Sequence, residues 1–119
     1  MKFSVSMKKN HEFRRLYAKG KSVATPCLVV YFRRTNRDYN QLGLTVSTKI
    51  GNAVCRNRVR RRLKEIYRLN EPRMQKGLDL VVVARQKSRY VSYAELEKAY
   101  LFACSRLGIL ADSPKSGEN

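Results

Sequence analysis

Acidic residues are scarce in this sequence, nine Asp and Glu against 26 Lys and Arg, and histidine occurs once. Hydrolysis on a protein needs clustered carboxylates for metal ions, or a nucleophile beside a base. The acids here are scattered singly. His11 lies in a basic N-terminal segment, where a solvated or phosphate-contacting role fits better than that of a general base. Cys27, Cys55 and Cys104 are odd in number, far apart and in no CxxC or Cys/His ligand spacing, so they read as reduced, mostly buried thiols. Phosphate-cradling glycine loops are missing. Long apolar runs are missing too: none approaches the roughly 20 residues of a spanning helix, and MKFSVSMKK lacks the apolar centre of a signal peptide. These absences argue against an active site and against a membrane span, and a cytoplasmic location is expected.

What is abundant is positive charge. A formal +17 and a pI near 10.4 are the electrostatic footprint of a polyanion binder. With 119 residues, 43% of them hydrophobic, the chain is one domain by size with enough apolar material for a core. The reading is a single nucleic-acid-binding domain over 1–110, whose residues 1–9 form a flexible basic arm, followed by a disordered tail over 111–119.

The rest is organised around Lys49 to Leu69, KIGNAVCRNRVRRRLKEIYRL, which holds eight Lys or Arg against the single acid Glu65. Asn52 is a suitable N-cap and Pro72 a stop, which predicts a helix between them. At about 100° per residue, Cys55, Val59, Leu63, Ile66 and Tyr67 form one apolar stripe roughly 120° wide. Arg56, Arg60 and Lys64 make an i, i+4, i+8 row along its edge, and Arg61 and Arg68 point outward. Like charges at this spacing repel, so stability alone does not select them. A solvated face usually mixes signs; an anionic partner explains one that does not.

Before this helix, Asn10 to Gly20 reads as a short helix with Glu12 in its first turn and Gly20 as a left-handed stop. By spacing alone its Phe13 and Tyr17 are core. A short strand around Ser22 to Thr25 precedes a clear one, Cys27 to Arg33. Alternation puts Leu28, Val30 and Phe32 on one face, and Val29, Tyr31 and Arg33 on the other, as further core or as a partly open floor bordered by charge. Such a floor suits single-stranded nucleic acid, whose bases stack on aromatics while cations track the phosphates. Leu42 to Ser47 is expected to form an antiparallel hairpin with Cys27–Arg33. Leu78 to Ala84 reads as a central strand buried on both faces, parallel to Leu42–Ser47 across the basic helix. Ser92 and Glu95 then form a capping box opening a last helix, with Leu96, Ala99, Tyr100, Ala103 and Leu107 inward and Gly108 as terminator.

At IGNAVCRNRVRRRLKEIYR the sequence resembles the protein subunit of bacterial ribonuclease P, whose signature is an Arg-Asn-Arg helix preceded by Lys-Ile-Gly-Asn-Ala. KKNHEFRRLYAKG, LVVYFRR and DLVVVARQK fit as flanking pieces, and the likeness spans Lys8 to Leu110. The resemblance implies an α+β fold, an α-β-β-β-α-β-α two-layer sandwich like that of certain ribosomal proteins, with a left-handed βαβ crossover against the usual rule. It implies a subunit that joins a catalytic RNA and aids removal of the 5′ leader from precursor tRNA, with Mg²⁺ held mainly by the RNA and no catalytic residue on the protein. Its partners are then that RNA and precursor tRNA, with no membrane and no stable protein partner. By resemblance, Asn52, Arg56, Asn57, Arg58, Arg60, Arg61, Lys64 and Arg68 serve the catalytic RNA, with Asn52 fixing the turn. Phe13, Tyr17, Val29 and Tyr31, with Arg33 and Lys49 as nearby cations, serve the single-stranded leader, which reverses the core reading of the two helix aromatics.

Other readings remain open. A ribosomal RNA-binding protein or RNA chaperone with no role in cleavage shares the charge, but requires neither the signature nor an aromatic cleft beside it. A DNA regulator would use Val54 to Leu69 as a recognition helix, yet its run of arginines suits phosphates better than base edges. A membrane-active cation needs a broad bulky apolar face, which this helix lacks.

Overall fold

The computed structural model describes residues 1–112; of the tail expected over 111–119, residues 113–119 lie outside them, while the Ala111 amide donates to the Arg73 carbonyl at 2.5 Å. Its elements run β1 (Ser4–Ser6), α1 (Asn10–Lys19), β2 (Lys21–Ala24), β3 (Leu28–Arg34), β4 (Asn40–Thr45), α2 (Ala53–Asn70), β5 (Leu78–Ala84) and α3 (Tyr93–Leu107), with short 3-10 turns before and after α2 and before α3. The five strands form one mixed sheet in the order β1-β4-β5-β3-β2, and the class is α+β as expected.

The strand LDLVVVA takes the centre because both of its faces are apolar and gain from being covered. It runs antiparallel to β3, from Leu28↔Ala84 to Arg34↔Leu78, and parallel to β4, from Gln41↔Asp79 to Thr45↔Val83. The hairpin expected between the third and fourth strands therefore does not exist: β5 inserts between them. The 35–39 loop crosses the sheet end instead, tied by the Thr35 amide to the Gly77 carbonyl at 2.8 Å. Gly77 has φ 83°, and a Cβ there would stand 2.7 Å from the Arg37 carbonyl oxygen, so the crossing needs glycine.

On one sheet face Leu28, Val30, Phe32, Leu80 and Val82 meet Val59, Leu63, Ile66 and Tyr67 of α2 and Leu96, Tyr100 and Ala103 of α3 in the main core. The helix stripe read from the sequence is the buried one, with Cys55 only half-buried. Asn52 caps α2, its Oδ1 accepting from the Cys55 amide at 3.0 Å. The Ser92–Glu95 capping box and the left-handed Gly108 (φ 71°) bound α3 as expected. Burial pushes the Cys104 thiol up to about 12, against a hydrogen bond with Tyr100, so it is no nucleophile.

On the opposite face α1 lies alone over Val81, with Leu16 and Met7 buried beside it and Phe13, Tyr31 and Val83 half-covered. The sandwich thus carries a partial third layer. Gly20 ends α1 in extended backbone (φ −76°, ψ 160°) rather than the expected left-handed turn. Its virtue is size: a Cβ would stand 2.7 Å from the Leu16 carbonyl oxygen and 3.0 Å from that of Phe32.

Residues 1–9, expected as a flexible arm, instead enter the fold. β1 pairs in parallel with β4, and the amides of Lys2 and Phe3 donate to the buried Glu71 carboxylate at 2.6 and 3.1 Å. Burial pushes the Glu71 carboxyl up, but hydrogen bonds from Ser4, Lys2 and Phe3, with the N-terminal ammonium, outweigh it and hold the group below its ordinary range. A sequence pattern of three strand residues is too short to announce this; the acid that holds them is 68 and 69 positions away.

Candidate nucleic-acid interface

Alternation in β3 builds the first half of the site. Val29, Tyr31 and Arg33 face away from the main core and are half-buried, while Leu28, Val30 and Phe32 are buried. Pairing brings Val83 beside Val29 and Val81 beside Tyr31, so the floor read from one strand is continued by the next. α1 walls it. The Tyr17 and Tyr31 rings meet edge-on with centroids 5.1 Å apart at 72°, and Phe13 stands 6.5 Å from Tyr17. The hydroxyls of Tyr17 and Thr45 share a 2.7 Å hydrogen bond, which fixes the ring across the gap to β4. Tyr17 nevertheless remains 41% exposed. Phe13 is half-buried, its ring seated on Gly43. The two aromatics of α1 therefore differ: Phe13 docks the helix, and Tyr17 offers a surface.

The two cations placed near this floor sit at opposite ends of it. Lys49 lies by the Val83 end, in a groove of about 620 Å³ shared with Ala84, Arg85 and Lys87. Arg85 and Lys87 were legible only as charges in a loop; the ladder that ends at Ala84 brings them to the floor's edge. Arg33 lies at the other end, paired with Asp79 at 3.4 Å. Asp79 is 5% exposed, also pairs with Arg37, and accepts from Gln41 Nε2 at 3.3 Å. Gln41 Nε2 reaches Glu12 of α1 at 3.1 Å. Arg33 is thus a component of the clamp that closes one end, while Lys49 is exposed at the other.

The second half of the site is α2. Asn52, Asn57, Arg58, Arg60, Arg61, Lys64 and Arg68 are exposed, and Arg56 is half-buried with an unsatisfied Nε. Arg68 pairs with Glu65 at 2.5 Å, and Arg60 Nη1 donates to Asn57 Oδ1 at 3.1 Å. Among the described residues, Arg56, Arg58, Arg60, Arg61 and Lys64 have no acidic partner. α2 has no acid in its first turn, so Arg56, which closes that turn, stands against the positive end of the helix dipole. Such an arrangement is relieved by bound anions. Arg62, outside the candidate set, donates to the Val91 carbonyl at 3.3 Å and serves packing.

Arg60 joins the halves. It lines a cleft of about 540 Å³ with Phe13, Arg14, Tyr17, Thr45 and Val46. Neither Arg14 nor this double membership was visible in the sequence, because α1, β4 and α2 meet only through the sheet order. No three of His, Cys, Asp and Glu come together in a metal-holding group among the described residues. No described helix is long and apolar enough to cross a membrane.

The ribonuclease P family model matches residues 1–108. A ribonuclease P protein component from Alkaliphilus metalliredigens is 40% identical over 111 residues, covering 93% of this chain and 100% of the relative. One from Clostridium botulinum is 43% identical over 104 residues, covering 87% and 94% respectively. Among solved structures, the Staphylococcus aureus RNase P protein superposes with a TM-score of 0.80 at 31% identity over 87% of this chain and 95% of that one. The Thermotoga maritima protein gives 0.75 at 32% identity over 82% and 92%.

Proposed function

This chain belongs to the ribonuclease P protein family, and from that premise we propose that it holds two RNAs at once, the catalytic RNA on α2 and the single-stranded 5′ leader of precursor tRNA on the floor beside α1. One observation carries the reading: Arg60 belongs to the basic helix face and also lines the aromatic cleft. A single continuous surface can then position the leader against the RNA that cuts it. Exposed guanidinium forks on α2 suit bidentate contacts to phosphate. Tyr17 and Tyr31 offer ring surface to unpaired bases, and Lys49, Arg85 and Lys87 track the adjoining phosphates.

The protein's contribution is binding and positioning. Its own acids do not assemble a metal site among the described residues, and the reading assigns the Mg²⁺ that activates the attacking water to the RNA subunit. Neutralising phosphates along both RNAs lowers the repulsion that otherwise demands more Mg²⁺. The test is cleavage of a precursor tRNA at low Mg²⁺ by protein alone, by bacterial ribonuclease P RNA alone, and by the mixture. Efficient cutting at the mature 5′ end by the mixture alone supports the reading. Cutting by the protein alone overturns the assignment of catalysis to the RNA, and no effect of the protein favours an RNA chaperone or a ribosomal RNA-binding protein.

A further inference from the structure

Tyr90, the residue that closes the 3-10 turn after β5, is 75% exposed. It belongs to neither surface described above. Isolated exposed aromatics are ordinary on protein surfaces and mean nothing by themselves. This one is held in place. The Arg89 guanidinium carbon stands 5.0 Å from the centroid of the Tyr90 ring. The same guanidinium donates through Nη1 to the Ile50 carbonyl at 3.0 Å. It also fills the space over Gly51, where a Cβ would stand 2.8 Å from Nη1. Ile50 and Gly51 lead directly into Asn52, the cap of α2. One side chain thus ties an exposed ring to the backbone at the start of the basic helix.

We propose that Tyr90 is a base-stacking contact for an unpaired nucleobase of the catalytic RNA, extending the α2 surface onto the turn after β5. The proposal rests on the reading that α2 binds that RNA. Three points favour it. A ring already fixed by a cation loses little freedom when a base settles on its uncovered face, which is the condition for a contact to yield affinity. A guanidinium under one ring face and a base over the other form a stack in which each layer is attracted to the ring. The turn packs against α2, with Arg62 of that helix donating to the Val91 carbonyl at 3.3 Å, and Val54 and Arg58, which share the i, i+4 row of Arg62, are both exposed. Duplex bases are already stacked on each other, so the class of ligand this ring selects is an unpaired base in a loop, bulge or junction.

The experiment titrates the full-length chain against bacterial ribonuclease P RNA across a salt series, comparing wild type with Tyr90→Ala, Tyr90→Phe and Arg58→Ala. Tyr90→Ala is expected to weaken binding about 5- to 150-fold, the range of one lost base–aromatic stack. Its salt slope should match wild type because no cation is lost. Tyr90→Phe should bind within about twofold of wild type, since the stacking face is kept. Arg58→Ala with unchanged affinity and slope removes the underlying reading, and this proposal with it. A shallower slope for Arg58→Ala together with wild-type affinity for Tyr90→Ala overturns the stacking contact alone. So does a loss in Tyr90→Phe equal to that in Tyr90→Ala, which would make the hydroxyl and not the ring the contact. If Tyr90→Ala spares the catalytic RNA and weakens only the assembled holoenzyme's grip on precursor tRNA, the ring faces the substrate and the proposal is wrong.

Discussion

The ring of Phe13 rests on Gly43: a Cβ built at Gly43 would stand 2.6 Å from two of the ring's carbons and 3.3 Å from a Val81 methyl. A helix residue and a strand residue 30 positions apart in sequence thereby set the height of α1 above the sheet, and so the width of the cleft beside it.

Gly43→Ala should lift Phe13 and cost about 1–3 kcal/mol by overpacking. Urea unfolding measures that loss. Leader-dependent affinity should fall with it, while affinity for the catalytic RNA, which the proposed function assigns to α2, should stay near wild type.

The two aromatics of α1 should separate experimentally. Tyr17→Ala should leave stability nearly unchanged and cost about 1–3 kcal/mol in binding of leader-bearing substrate relative to mature tRNA. Phe13→Ala should lower stability by about 2–3 kcal/mol, because the half-buried ring packs on the sheet. Equal stability losses in both variants would show that Tyr17 is core after all.

Arg58→Ala and Arg60→Ala should each make the salt dependence of catalytic-RNA binding shallower by about 0.9 in log–log slope, one phosphate contact apiece. Only Arg60→Ala, whose side chain also lines the aromatic cleft, should additionally weaken discrimination between precursor and mature tRNA. Filter binding with both substrates separates the two effects.

Glu71 gives the fold an acid-sensitive point. Its folded pKa is depressed, so its stabilising contribution is present above the unfolded value of about 4.3 and is lost as pH falls through the lower folded value. Glu71→Gln should cost about 1.5–3 kcal/mol at neutral pH, the size of hydrogen bonds to a charged group. It should also flatten the decline of stability between pH 5 and 3, within the usual carboxylate titration range. Urea midpoints across that range, for both proteins, provide the comparison.

Local signals in the sequence were sufficient for α2 and α3. Asn52, the Ser92–Glu95 pair and Gly108 act on backbone groups a few residues away, and each bounds its helix as read. Strand order was a different matter. The β3 and β4 patterns each call for a neighbour, and proximity in sequence suggested each other, but the more apolar β5 offers both of them a better one. Alternation put Val29, Tyr31 and Arg33 on one face but left it open between further core and a partly open floor; in the structure all three are half-buried. That Arg33 is spent on Asp79 was not legible in that pattern, since their opposition depends on the register of two strands that places residues 46 positions apart side by side. The split roles of Phe13 and Tyr17 likewise depend on Gly43, which nothing in the helix's own spacing reveals.

β5, the strand that joins both halves of the sheet, is the last of the five in chain order. On a ribosome the β2–β3 and β1–β4 pairs emerge without the strand that joins them, and the arginine-rich helix emerges next, before that central strand is made. The sheet that the helix's apolar stripe covers is complete only once Leu78–Ala84 has been made. Fragments ending before Leu78 keep the cationic helix sequence yet lose the sheet's centre, so they should attract RNA through charge while failing to adopt this fold.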